Sequence, residues 1–290
     1  MDNLTALVSC FARAYHSKTA RVCVFDDTAA ERVLGEDYER IAQSMTTGAG
    51  FFFPGLELTP EEGLRMIVDR QLAPSVLGRS ALCEWLLKET GCEQYIIFAS
   101  GYDTYAVRNS AEKTRIFELD VPEMISDKQR RLDMCGLKSG AAYVPCDLAG
   151  DTWSEKLAGA GYRSDTAAFA SLLGISYYLE KEEFAKLIRT LGGIMCADSV
   201  ICFDYPRTVG GRETKVNEML AHAAGETMRA RYGADEMEAL MRECGFEPLE
   251  SIDADKMNER FFKAHNDFEP EHEMHAPEGV GYIAAVKPRK

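Results

Sequence analysis

From residue 94 onward, short apolar runs rich in strand-forming residues alternate with helical segments. Apolar runs of this length, bounded by glycine or acidic residues, are typical of buried parallel strands. Strands separated by helices predict a mostly parallel sheet with right-handed crossovers. The Gly192-Gly193 pair is expected to break the chain before the fifth strand, and the last run predicts an antiparallel pair that closes the sheet. The predicted strands are 94–99, 115–119, 142–146, 166–172, 194–203, 247–252 and 279–287.

Residues 1–75 show helical rather than strand periodicity. Thr59 followed by Pro60 predicts a helix start, since threonine caps the first turn and proline fits the first helical position. Pro74 is expected to end that helix, and residues 45–50 are expected to form a loop. A first helix carries apolar residues on one face at i, i+3, i+4 and i+7 spacing, namely Leu4, Leu7, Val8, Phe11 and Tyr15.

The length of 290 residues fits one domain with an added cap. We expect a single domain over 1–290, with a helical cap at 1–75 and a sheet core that binds the ligand at 76–205. Residues 206–290 are expected to form a helical lid and the closing antiparallel strands, with helix over most of 213–245. The oligomeric state is left open by the pattern.

Composition and charge exclude several classes of protein. The chain has 33 Lys and Arg against 47 Asp and Glu, a net charge of −14, whereas a general nucleic-acid binder needs a basic face. No apolar run reaches the roughly 18 residues of a membrane span, and the N-terminal residues lack a signal-peptide pattern. The nine cysteines are scattered, which favours reduced thiols in the cytoplasm. His272 and His275 have no third ligand nearby in sequence, so no metal site is expected.

The first predicted strand breaks at Ser100-Gly101, and the next strand ends in the acids Glu118 and Asp120. Glycine after a strand lets backbone amides approach a ligand, and an acid at the next strand end can accept hydrogen bonds from a ribose diol. The same acids could instead be a solvated strand end or a cap before Pro122. The pattern favours a nucleoside ligand over the carboxyl ends of the strands. The G-x-G-x-x-G fingerprint is absent, which disfavours a dinucleotide oxidoreductase.

Two further positions extend this candidate site. Asp147 ends the third strand, where a carboxylate can receive an adenine amine while Leu148 covers the ring. An N-cap ahead of the helix at Trp153 explains Asp147 equally well. Arg79 precedes the first strand and could reach a carboxylate held over the sheet, although a solvated surface charge is the alternative.

These segments resemble, in order and spacing, the leucine carboxyl methyltransferase family. The turn from Phe98 to Arg108 is similar to that family's GAGxDTxxxR motif. The block from Phe117 to Pro122, together with Lys128, is similar to its FExDxPxxxxxK motif. Three shorter segments also resemble family blocks, at 77–80, 144–148 and 171–179.

The resemblance implies a class I S-adenosylmethionine-dependent methyltransferase fold. This is a Rossmann-like α/β fold with a mostly parallel seven-stranded sheet, helices on both faces and, in this family, an N-terminal helical cap. An N-terminal basic contact to the cofactor would fall on Lys18 or Arg21. The other implied cofactor-binding residues are Arg79 for the methionine carboxylate, Ala99, Gly101 and Asp103 for the methionyl part, Asp120 for the ribose with Glu118 as a second candidate, and Asp147 and Leu148 for the adenine.

Three positions depart from the family pattern. Ala99 stands where the family's turn has glycine. In the branch that methylates a phosphatase, an arginine receives the substrate's carboxylate where this chain has Ala149, and a glutamate stands where this chain has Leu173. These losses argue against a phosphatase tail as acceptor. They favour a carboxyl or hydroxyl group of a small metabolite or natural product.

Methyl transfer from a sulfonium is an in-line displacement, so an enzyme supplies mainly alignment and desolvation. A carboxylate acceptor needs no general base, whereas a hydroxyl acceptor does. No catalytic residue is identified by pattern, and Tyr178, Tyr177 and Tyr102 are the candidates for orienting the acceptor. The alternatives are a non-catalytic scaffold that binds S-adenosylmethionine and, less favoured, a Rossmann oxidoreductase.

Overall fold

The computed structural model describes residues 4–111, 113–150, 152–208 and 229–289. The strands of these segments are β1 (Gln94–Phe98), β2 (Arg115–Asp120), β3 (Ala142–Pro145), β4 (Ala168–Leu172), β5 (Val200–Pro206), β6 (Glu247–Ile252) and β7 (Val280–Val286). They form one sheet in the order β3-β2-β1-β4-β5-β7-β6. Strands β1 to β5 pair in parallel, and β7 lies antiparallel between β5 and β6. The predicted α/β fold class and the antiparallel closing pair are confirmed.

The central strands are buried along their whole length, as the continuous apolar runs predict. Alternate residues of β1 enter two different hydrophobic cores, because side chains of a strand point to opposite faces. Tyr95 and Ile97 pack into one core, and Ile96 and Phe98 pack into the other. Helices therefore cover both faces of the sheet.

The first core lies under the N-terminal helices, and the second lies under helices that follow β3. In the described segments the α-helices are α1 (Leu4–Thr19), α2 (Ala30–Leu34), α3 (Asp37–Phe52), α4 (Pro60–Ile67), α5 (Ala73–Thr90), α6 (Tyr105–Arg108), α7 (Pro122–Met134), α8 (Trp153–Gly159), α9 (Lys181–Ile194), α10 (Ala234–Glu243), α11 (Ala254–Met257) and α12 (Lys263–Phe268). Two π-helical turns and one 3-10 turn complete the helical segments, at Val68–Leu72, Asn258–Phe262 and Pro270–His272.

The start of α4 follows the predicted capping chemistry. The Thr59 hydroxyl accepts a hydrogen bond from the Glu62 amide at 3.3 Å, and the Glu62 carboxylate accepts one from the Thr59 amide at 2.8 Å. Pro60 occupies the first turn, where no amide hydrogen is needed. The capping box satisfies two amides that a helix start otherwise leaves unpaired.

Two breaks predicted in the N-terminal half are wrong. Pro74 does not end a helix, because the π-helical turn at Val68–Leu72 leads directly into α5 and places the proline in its first turn. Residues 45–50 belong to α3 rather than to a loop. The Thr46 hydroxyl donates to the Ala42 carbonyl one turn earlier at 2.8 Å, so this polar stretch satisfies its side chains within the helix.

The Gly192-Gly193 pair is also not a break. Helix α9 continues through both glycines to Ile194, and β5 begins only at Val200. A Cβ at Gly192 would collide with the Cys244 carbonyl oxygen. This glycine therefore allows two segments to pack closely, rather than ending the helix.

The predicted lid is only partly described. Of the helical prediction for residues 213–245, positions 213–228 lie outside the described residues, and α10 covers Ala234–Glu243. None of the described helices is both long enough and apolar enough to span a membrane.

Candidate functional site

A cavity of about 260 Å³ opens at the carboxyl ends of β1 and β4. The strand order reverses between these two strands, and ligands of open α/β sheets bind at such a switch point. Residues from α1, α5, the turn after β1, the end of β2 and the loop after β4 line it. The predicted site residues brought together on its wall are Arg79, Ala99, Gly101, Tyr102, Asp103, Asp120 and Tyr178.

The turn after β1 is shaped by two residues with left-handed backbone. Ala99 has a φ of 48° and Gly101 a φ of 46°. The Gly101 amide donates to the Asp120 Oδ2 at 2.7 Å, and the Val121 amide donates to Oδ1 at 2.8 Å. Burial raises the pKa of Asp120, while these two amides partly oppose that rise. Ala99 thus holds a left-handed backbone angle that strains a residue with a Cβ.

Helix α1 passes close over this turn. A Cβ added to Gly101 would lie 3.4 Å from the Cβ of Ala6, which is a close van der Waals contact. Thr5, Ala6 and Ser9 line the cavity from the helix side. Glycine at position 101 thus serves the left-handed backbone angle, with α1 in contact distance of the turn.

Arg13 is a cavity residue that the sequence pattern did not indicate. Its Nη2 donates to the Tyr102 carbonyl at 2.7 Å, and its Nε donates to the Asp27 carboxylate at 2.8 Å. Lys18, proposed as a basic contact, instead pairs with Glu31 on an exposed surface. Arg13 lies in an ordinary amphipathic helix, so nothing in its spacing distinguishes it from a surface charge.

The buried Asp27 joins α1 to the turn. It also accepts a hydrogen bond from the Thr104 hydroxyl at 2.6 Å and forms an ion pair with Arg108 at 3.4 Å. Burial works against its charge, but Arg13 and Arg108 outweigh this and hold the pKa of Asp27 below its usual value. The threonine and arginine of the GAGxDTxxxR-like turn therefore fix the cap to the core.

Asp103 and Tyr102 line the cavity but are already engaged. The Asp103 carboxylate accepts the Tyr105 amide at 2.8 Å, which opens the short helix α6. The hydroxyl of Tyr102, a candidate for orienting the acceptor, donates to the Asp127 carboxylate at 2.6 Å. Its backbone carbonyl accepts a hydrogen bond from Arg13, which also lines the cavity.

Arg79 lies on the cavity wall beside an acid that sequence analysis missed. Its Nη1 donates to the Asp204 carboxylate at 3.2 Å, and the Tyr177 hydroxyl donates to the same carboxylate at 3.0 Å. Tyr177, predicted to orient an acceptor, thus binds Asp204, whereas Tyr178 lines the cavity. A single acid in the apolar run of β5 was the available signal for Asp204.

Glu118 is not on the cavity wall. Its side chain is 1% exposed and forms a buried ion pair with Lys128 from α7. Burial raises the pKa of Glu118, and Lys128 opposes that rise. The glutamate and lysine of the FExDxPxxxxxK-like block are therefore partners beneath the cavity, whereas Asp120 lines it.

Asp147 and Leu148 lie outside the cavity, beyond the end of β3. The Asp147 carboxylate accepts the Ala149 amide at 2.9 Å and is exposed. The Cys146 amide donates to the Asp120 carbonyl at 2.8 Å, so this segment directly neighbours the end of β2. Asp147 and Leu148 therefore lie beside the end of β2 but do not line the cavity. No cluster of His, Cys, Asp or Glu suited to a metal occurs among the residues the structure describes.

Solved structures share this architecture. A protein of the DUF574 family from Streptomyces avermitilis has a TM-score of 0.59 at 17% identity, covering 89% of this chain and 95% of that one. A Thermobifida fusca protein described as a methyltransferase has a TM-score of 0.56 at 15% identity, covering 89% of this chain and 93% of that one. At this identity the likeness concerns the fold, which is that of the class I methyltransferases.

Sequence comparison then gives the family. The family model for leucine carboxyl methyltransferase matches residues 6–192, and the chain belongs to this family. A Bacillus subtilis relative, YktD, is 32% identical over 304 residues, covering 99% of this chain and 98% of the relative. A Frankia alni relative is 32% identical over 206 residues, covering 70% and 68%. Both are named as S-adenosyl-L-methionine-dependent methyltransferases, and this chain is an enzyme of that class with that cofactor.

Proposed function

We propose that this methyltransferase transfers the methyl group to the carboxylate of a small-molecule acceptor. This proposal rests on the chemistry of the residues that line the cavity. Among the described residues that line it, no histidine occurs, and the carboxylates of Asp103 and Asp120 both hold backbone amides. A carboxylate is a nucleophile in its ordinary anionic form and needs no general base, whereas a hydroxyl acceptor does.

The residues present fit S-adenosylmethionine, which supplies an electrophilic methyl group on its sulfonium. Each Asp120 oxygen accepts one backbone amide and can accept a further donor, which suits the two ribose hydroxyls. Arg79 offers a guanidinium for the methionine carboxylate. The turn at Gly101 would receive the methionyl part, and Asp147 with Leu148 would receive the adenine.

The chain's part in the reaction is alignment and exclusion of water. Leu173 and Ile175 present apolar surface beside Tyr178 on the β4 side of the cavity, and α1 covers the opposite approach over Gly101. An apolar wall lowers the hydration of an acceptor carboxylate and so favours its attack. We therefore place the acceptor beside Tyr178, with the cofactor between it and the turn.

The product's chemistry tests the acceptor class. The protein is incubated with methyl-labelled S-adenosylmethionine and separate panels of carboxylic acids, alcohols and phenols. A methyl ester releases labelled methanol in mild base, whereas a methyl ether does not. We expect base-labile label with acids, and base-stable label confined to alcohols or phenols would overturn the carboxylate proposal.

Asp120→Asn serves as the control for the site. Asparagine has one acceptor oxygen where aspartate has two, so it cannot accept hydrogen bonds from both ribose hydroxyls. Cofactor affinity should therefore fall about tenfold or more. Calorimetry with S-adenosylmethionine and its demethylated product measures this directly. Tight cofactor binding with no labelled product across all three panels would favour the scaffold alternative over an enzyme of this acceptor class.

A further inference from the structure

Asp204 is a buried carboxylate that the reaction itself does not use. It lies at the carboxyl end of β5, and its side chain is 0% exposed. The Gly174 amide donates to its Oδ1 at 2.7 Å, while the Tyr177 hydroxyl and Arg79 Nη1 donate to its Oδ2 at 3.0 and 3.2 Å. Three donors from two segments, helix α5 and the loop after β4, therefore fix one carboxylate behind the cavity wall.

The loop after β4 is shaped to admit the guanidinium of Arg79. Gly174 has a φ of +69°, and a Cβ there would lie 2.9 Å from Arg79 Nη1. Any side chain at position 174 would therefore displace the arginine. The glycine, the tyrosine and Asp204 together define where the guanidinium can be.

The charge of Arg79 also depends on Asp204. Burial works against the charged guanidinium, but the neighbouring carboxylate outweighs this effect and raises the pKa of Arg79. Asp204 bonds to Nη1 and not in the bidentate fork that would occupy two guanidinium nitrogens. Arg79 lines the cavity, whereas Asp204 is absent from its wall. Asp204 therefore orients the cation through one nitrogen and does not itself engage the rest of the guanidinium.

We propose that Asp204 is a positioning residue that aims Arg79 at the carboxylate of the bound cofactor, with Tyr177 and the Gly174 amide fixing Asp204. This inference rests on the assignment of Arg79 to the methionine carboxylate in the proposed function. It assigns Tyr177 to the same anchor rather than to the acceptor. Selectivity for a ligand with an amino-acid carboxylate is then set from behind the wall by Asp204 and Tyr177, neither of which lines the cavity.

Two ligands separate positioning from general support. S-adenosylmethionine and its decarboxylated form share the adenosine and the sulfonium and differ in the carboxylate. The full chain, as wild type, Arg79→Ala and Asp204→Asn, is titrated with each ligand by calorimetry. We expect the wild type to prefer the carboxylate-bearing ligand by about 10- to 100-fold, and both variants to lose most of that preference.

A matched control removes another buried acid. Glu118→Gln makes the same change in a carboxylate paired with a buried cation, Lys128, and should keep the ligand preference even where stability falls. Tyr177→Phe removes one donor to Asp204 and should reduce the preference by a smaller factor. It tests the inference even if Asp204→Asn does not fold.

The outcomes distinguish the two levels of the assignment. Loss of preference in Arg79→Ala with full preference retained in Asp204→Asn and Tyr177→Phe would overturn the positioning role alone. Equal weakening of both ligands by Asp204→Asn would do the same, since it would show a merely structural residue. An Arg79→Ala variant that keeps the preference would overturn the Arg79 assignment and the inference built on it.

Discussion

Among the described residues, two arginines line the cavity, and each pairs with a fully buried aspartate. Arg13 from the cap pairs with Asp27, and Arg79 from the core pairs with Asp204. The exposed fractions of the arginine side chains are similar, at 11% and 17%, and those of both aspartates are 0%. The two anchors differ in what else their carboxylate holds.

Asp27 joins segments that share no strand. It binds Arg13 of α1, Thr104 and Arg108 of the segment after β1, and the amide of Ala30 at the start of α2. Asp204, in contrast, sits on a strand whose backbone is paired on both sides. Loss of Asp27 should therefore loosen the cap, whereas loss of Asp204 should alter ligand recognition within a sheet that remains formed.

The largest expected effect is on the cap anchor. Asp27→Asn removes the anion of Arg13 and leaves Arg108 with Glu84 alone, and breaking a buried pair from one side costs about 3–5 kcal/mol of unfolding free energy. Denaturant unfolding measures the loss. Asp26→Asn changes the exposed neighbouring acid and should stay within about 0.5 kcal/mol of wild type. Equal stability of the two variants would contradict the central role of Asp27.

The position of the Arg79 guanidinium can be tested without changing a charged residue. Gly174→Ala should displace the Arg79 guanidinium and weaken S-adenosylmethionine binding about tenfold or more, the loss of one charge-assisted hydrogen bond. Gly136→Ala is the control, because Gly136 has nearly the same φ of +67° and nothing within 4 Å of an added Cβ. Both variants carry the same backbone strain, of about 1–2 kcal/mol. If both bound the cofactor equally well, Gly174 would have no special relation to Arg79.

A pH dependence should appear on the cap side. His16 of α1 accepts the Val24 amide through Nε2 at 2.9 Å, and its ring lies 5.3 Å from that of His265. Burial, with smaller contributions from His265 and Arg65, lowers the pKa of His16 from 6.5 to about 3, and Glu269 opposes this. The unfolded chain then binds the proton first. Stability is therefore present above about pH 6.5 and is lost as the pH falls toward 3.

His16→Gln tests this dependence. Glutamine keeps an acceptor for the Val24 amide but does not titrate. Unfolding free energies measured between pH 5 and pH 7 should have a shallower slope in the variant than in the wild type. An unchanged slope would show that His16 does not carry this dependence.

The smallest effect is expected at Ala99, in the turn after β1. Ala99 holds a φ of 48°, a conformation that costs an alanine about 1–2 kcal/mol and a glycine almost nothing. Glycine also gives the unfolded chain more conformational freedom, which offsets about 0.4–1 kcal/mol of the gain in stability. Ala99→Gly should therefore raise the unfolding free energy by up to about 1 kcal/mol. A destabilised variant would show that the methyl group of Ala99 makes favourable contacts that outweigh its strain.

The alternation of strands and helices was readable because apolar runs and turn residues act locally. The same holds for the Thr59 cap and for Asp120, which follows a strand and precedes a helix-starting proline. Predictions that took a proline or glycine as the end of a helix were wrong at Pro74 and at the Gly192-Gly193 pair. Pro74 lies in the first turn of α5, where proline is tolerated, and Gly192 packs against the Cys244 carbonyl. Neither the helix position nor the packing partner can be inferred from the residue type alone.

The sequence pattern identified which residues could form the site, but the burial of each side chain in the folded protein decided its role. Glu118 and Asp120 are two apart on β2, so their side chains share one face of the sheet. Glu118 is covered by α7 and neutralised by Lys128, while Asp120 reaches the cavity edge and holds the Gly101 turn. Arg79 and Asp204 are 125 positions apart, so only the packing of α5 against the sheet brings them together. Local pattern thus determined the elements and the motif, and long-range packing decided which charges face a ligand and which hold the others in place.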